Sequence, residues 1–130
     1  MSASLPDALA AQILSSLRDS LSVLRAIQQE ASRDLYAGAH AQAGARLKRL
    51  FSGWSEFLQA VRDVLPALEP GQGEGIQQTF ARTASHLSGV HRALSRRDWV
   101  ETADLLAVEG EGLLDTWSEA LAAPPVSPAQ

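Results

Sequence analysis

The spacing of apolar positions divides the chain into four amphipathic segments. Ile13, Leu17, Leu21, Leu24 and Ile27 recur at intervals of four and three, with Arg18, Asp19, Arg25 and Glu30 off the stripe. That period is one face of a helix and predicts a first helix over 5–31. Ser4 is placed to cap it, Pro6 is tolerated in its first turn, and Asp7 suits the positive end of the helix dipole. A break is expected at Ser32-Arg33-Asp34-Leu35, followed by a second helix over 36–65 with Leu47, Leu50, Trp54, Phe57, Val61 and Leu65 on its stripe.

The stretch 66–75, PALEPGQGEG, holds two prolines and three glycines and predicts a linker. A third helix follows from 76, with Ile76, Phe80, Thr83, Leu87, Val90 and Leu94 as a regular seam. Ser95-Arg96-Arg97 reads as a turn. Asp98 with Glu101 has capping-box spacing and opens a fourth helix carrying Ala103, Leu106, Leu113, Leu114, Trp117 and Leu121. The segment 123–130, with three prolines, is expected to be a disordered tail, leaving 1–122 as a single domain.

Shifting the chain by 63 residues superposes the halves without a gap. Ile13 falls on Ile76, Leu24 on Leu87, Ser32-Arg33 on Ser95-Arg96, Tyr36 on Trp99, Trp54 on Trp117 and Leu58 on Leu121. This predicts a duplicated helical hairpin, 5–65 and 76–122. A hairpin cannot bury its stripe alone, so the expected fold is all-α, an antiparallel four-helix bundle of two duplicated hairpins.

Composition agrees with helix. Apolar residues make up 45% of the 130, mostly Leu and Ala, with only 5% aromatics. Disulfides and thiolate chemistry are excluded by the absence of cysteine. A net charge of −4 and a pI near 5.3 argue against nucleic acid and anionic lipid as partners. The amino terminus lacks a basic leader pattern, and no apolar run approaches the ~18 residues of a membrane span, so a cytoplasmic protein with no membrane partner is expected.

Asp98-Trp99-Val100, Ala103-Asp104-Leu105-Leu106, Glu109, Leu113-Leu114 and Trp117 together resemble a motif of small bacterial all-α proteins of uncharacterised function, roughly D-[WY]-V-x-x-A-D-L-L-E-Y-E-L-x-P-L-L-x-x-W. The resemblance covers about 20 residues of capping and packing character and implies a fold, not an activity. The chain departs from it at Ala107 and Val108, where Glu-Tyr is usual, and at Gly110 and Gly112, where Leu and Pro are usual.

Candidate chemistry is sparse. His40, His86 and His91 lack the i,i+3 or i,i+4 pairing of helical metal sites, so no metal or other cofactor is expected. GQGEG lacks the lysine and preceding strand of a phosphate loop. Arg33 and His40, with six residues between them, loosely resemble the Arg–His signature of HEPN-type helical ribonucleases, which forms the enzymatic alternative. From Asp98 to the end there are seven acids and no Lys or Arg. The expected function is therefore non-enzymatic: an adaptor or chaperone-like bundle binding another protein, or a homodimer or other structural oligomer of this chain. The expected contact surfaces are the small-residue stretch with Gly38 and Gly44, a notch at Gly110 and Gly112, and the acids Glu101, Asp104, Glu111 and Asp115. On that reading Gly110→Leu should weaken partner capture.

Overall fold

The computed structural model describes residues 7–68 and 70–122, and the four stripes form four antiparallel rods. Helix α1 spans Asp7–Tyr36, α2 spans His40–Val64 and α3 spans Pro70–Ser95. The fourth rod is composite: α4 (Trp99–Asp104), a π-helical turn (Leu105–Gly110) and α5 (Glu111–Ala122) follow without interruption. Among the described residues there is no strand. The predicted tail 123–130 and the expected first-turn residues Ser4 and Pro6 lie outside the described residues.

Neighbouring rods run antiparallel around the bundle. Arg46 on α2 reaches Glu30 and Asp34 on α1, and Arg62 and Phe51 on α2 meet Phe80 and His91 on α3. Thr83 on α3 meets Trp117 on α5, and Arg18 on α1 donates to the Leu121 carbonyl. The result is an up–down–up–down bundle with Trp54, Trp117, Leu50, Leu106 and Leu114 fully buried at its centre. Trp54 and Trp117 both pack edge-on against Phe57, which sits between them.

The first turn lies later than the sequence pattern suggested. Helix α1 continues through Ser32–Leu35 and ends at Tyr36, where Gly38 adopts a positive φ of 79°. Gly38 N–H donates to Leu35 O and Ala39 N–H to Asp34 O, a Schellman cap that requires a left-handed residue at Gly38. The second hairpin turn repeats the device: Arg97 (φ 58°) donates to Leu94 O and Asp98 to Ala93 O. These equivalent turns lie 59 residues apart, from Gly38 to Arg97, not 63. The two tryptophans also differ, since Trp117 Nε1 donates to Thr83 Oγ1 whereas Trp54 Nε1 is buried without a partner. The gapless 63-residue register therefore does not superpose the two hairpin turns.

The expected linker 66–75 is shorter than its composition suggested. Pro66 sits in a 3-10 turn, Leu65–Ala67, and α3 already starts at Pro70. Proline is tolerated at the first helical position because the N–H it lacks would have no helical partner there. Gly71, Gly73 and Gly75 thus lie in the first turns of α3, where added Cβ atoms would meet nothing.

Candidate functional site

A groove of about 630 Å³ runs between α1 and α2. Its floor and walls include Leu9, Ile13, Val23 and Ile27 from α1 and Gly53 and Phe57 from α2. It exists because α1 carries two apolar stripes rather than one. Leu17, Leu21, Leu24 and Gln28 face the bundle axis, while Leu9, Ile13, Ser16, Ser20, Val23 and Ile27 form a second line rotated towards the outer seam with α2. Opposite that line α2 offers small residues, Gly53 and Ala60. The helices touch at Gly53, where a Cβ would stand 2.8 Å from Leu24 Cδ2. Val23 is left 58% exposed near the Ile27 end of the groove, and Leu9 41% at the other end. Leu9 to Ile27 is 18 residues, or about 27 Å of helix.

The four acids expected to recruit a partner are engaged within the chain. Glu111 and Asp115 both pair with Arg25, the latter at 2.7 Å, and Glu111 also accepts from Gln28 Nε2 at 2.8 Å. The hydrogen bond to Asp115, more than any other contact, raises the Arg25 pKa and keeps the guanidinium charged. Asp104 accepts from the Tyr36 hydroxyl, and Glu101 pairs with Arg96 at 2.7 Å. Helix α1 supplies the cation that the fourth rod lacks, so the acidic run is largely a seam between rods. Arg46 performs the same service between α2 and α1, its pKa raised chiefly by the hydrogen bond to Asp34.

The four glycines do not form one surface. Gly110 is buried, and a Cβ there would overlap Gln28 Oε1 and stand 2.8 Å from Gln28 Cδ, so the expected notch is filled by the Gln28 amide. Gly38, Gly44 and Gly112 are exposed, and a Cβ on any of them would meet nothing within 4 Å. The close approach expected along Gly38 to Ala45 occurs instead at Gly53. Arg33 lines a smaller cleft of about 370 Å³ between α1 and the π turn, with Tyr36, Gln28, Leu106 and Glu111. His40 is not among its lining residues; its ring stacks on Trp99 at 4.5 Å.

The bundle interior holds polar groups that the apolar pattern hid. On α3 the buried line is Ile76, Thr79, Thr83, His86, Val90 and Ala93, while Phe80, Leu87 and Leu94 are only half-buried. Thr83 accepts from Trp117 and itself donates to Thr79 O at 2.8 Å. His86 is buried, with Nδ1 2.6 Å from Glu109 and Nε2 unpartnered. Residues at 3-4-3-4-3 spacing centred on two threonines and a histidine give no hydrophobic signal, which is why the apolar seam of α3 misplaces its core line by part of a turn.

No family model, no curated protein and no solved structure matches this chain. The residues of the Asp98–Trp117 motif serve the fold. Asp98 Oδ1 accepts from Glu101 N–H at 3.0 Å, Trp99 stacks on His40, Ala103 and Leu106 enter the core, and Trp117 binds Thr83. The capping box closes on one side only. Asp98 N–H is already donated to Ala93 O, so the Glu101 carboxylate turns to Arg96. No group of three or more metal-ligating side chains clusters among the described residues, and no helix there is long and apolar enough to cross a membrane.

Proposed function

We propose that this chain is a protein-binding helical bundle, an adaptor or chaperone-like module that receives an amphipathic helix in the α1–α2 groove. The observation that carries this reading is Val23, 58% exposed in a groove whose lining also includes Ile13, Leu24, Ile27 and Phe57. An amphipathic helix presenting apolar side chains at i, i+3/i+4 and i+7 matches a groove of this length and lining. Covering that surface would remove apolar area from water at roughly 25 cal/mol per Å². The Gly110 notch and the acids of the fourth rod have no part in this reading, because they are occupied by Gln28, Arg25, Tyr36 and Arg96.

The test is a titration of isotope-labelled full chain with a leucine-rich amphipathic helical peptide of about 18 residues, followed through backbone amide shifts. The shifts are expected at Ser16, Ser20, Val23, Gly53 and Glu56. Shifts centred on α3 and α4 instead, or no shifts at millimolar peptide, would remove the groove as the docking surface.

A further inference from the structure

Charge on the groove rims says what kind of helix it takes. The contact of Leu24 with Gly53 fixes the register of the antiparallel α1–α2 pair, so Glu56 stands level with Leu21. Asp19 lies on the same outer face of α1 as the groove residues Gln12, Ser16 and Val23, at helical spacings of seven, three and four. It is two residues, or about 3 Å, along the axis from the level of Glu56. One exposed carboxylate therefore stands on each rim at nearly one height, flanking the apolar floor.

Six of the fifteen acids are neutralised by ion pairs within the chain. Glu30, Asp34, Glu101, Glu109, Glu111 and Asp115 are each paired with an Arg or His of the chain. Asp19 and Glu56 form no ion pair among the described residues. The nearest unpaired cation on the groove side is Arg49, four residues before Gly53 on the same face of α2 and beyond the groove's Ile27 end.

We infer that the groove takes an amphipathic helix of another protein that carries a Lys or Arg at the height of Asp19 and Glu56. Its apolar stripe fills the floor while the long cationic side chain runs over the rim to either carboxylate. This rests on the groove being the docking surface. Lys and Arg suit the position because their stems cover apolar surface while the charged head stays in water. Arg49, about 10 Å along the axis from Glu56, would favour an acidic residue of the partner at that end and so fix its direction.

The experiment uses the full chain and two synthetic helical peptides with one apolar stripe, one flanked by Lys and one by Glu at the rim positions. Affinity is read by fluorescence anisotropy at low and high salt. The Lys peptide is expected to bind about tenfold more tightly, with the difference shrinking at high salt, and the Asp19→Lys/Glu56→Lys variant should invert the preference. Both substitutions are on exposed positions, and an unchanged helical circular dichroism spectrum controls for folding. Equal affinity for both peptides would overturn the cationic assignment and leave the groove standing. Binding of neither would overturn both. A dimer by light scattering that Val23→Glu dissociates would also overturn the assignment, since the groove's occupant would then be a second copy.

Discussion

At the scale of single residues, the tightest constraint is the meeting of Gln28 with Gly110. Gln28 is wholly buried, with its amide lying over the Gly110 backbone and its Nε2 donating to Glu111. A methyl group at 110 has no free space, and a fully buried amide has nowhere to withdraw. Gly110→Ala is therefore expected to lower stability by about 1–3 kcal/mol, read from urea unfolding. In a Gln28→Ala background the obstruction is gone and the same substitution should cost well under about 1 kcal/mol, because alanine is the better helix former. Equal costs in the two backgrounds would contradict the contact. It follows that Gly110→Leu is a probe of folding, not of partner capture. The sequence shows a glycine out of place in a helix; only the packing shows that its missing side chain is replaced by one from α1.

At the scale of elements, the seam between α1 and the fourth rod is held by polar contacts along its length, among them Arg18 with Leu121, Arg25 with Glu111 and Asp115, and Tyr36 with Asp104. The last of these gives a pH dependence with a definite sign. The Tyr36 hydroxyl donates to the Asp104 carboxylate, and this raises its pKa above the ordinary 10.0, since ionisation would set two anions together. A folded value above the unfolded one means the contact contributes in full below about pH 10 and is lost as pH rises through the folded value. Tyr36 is the only tyrosine, so ultraviolet tyrosinate absorbance follows it alone. Asp104→Asn should move its titration to lower pH; an unchanged titration would contradict the bond.

Legibility also differs by element. The start of α4 could be read directly, because Asp98 and Glu101 are a local capping signal that the structure uses. The end of α1 could be read only from Gly38, and a long-range repeat pulled the expected break forward to Ser32–Leu35. The start of α3 was hidden by glycines that a helix tolerates in its open first turns. The groove left two marks: Val23 off the main stripe, and Gly53 among large apolar neighbours. Neither means anything without knowing that Leu24 and Gly53 meet, which is a tertiary fact.

At the scale of the molecule, the same sequence features divide their labour. The acids concentrated in the fourth rod and the cations on α1 and α2 bind rods to one another, and Trp54, Trp117, Phe57 and Leu50 fill the centre. Between α1 and α2 the bundle leaves open a long apolar seam, flanked by Asp19 and Glu56, which form no ion pair among the described residues. Two exposed valines allow a direct comparison: Val23 in the groove, and Val108, 75% exposed on the π turn and outside it. Neither position is packed, so glutamate at either should leave the fold intact. The decisive measurement is the affinity of the Lys-flanked amphipathic peptide for the Val23→Glu and Val108→Glu variants side by side. Val23→Glu is expected to weaken binding by about tenfold or more, and Val108→Glu to leave it within about twofold. Equal losses, or a larger loss at Val108, would contradict a docking groove between α1 and α2.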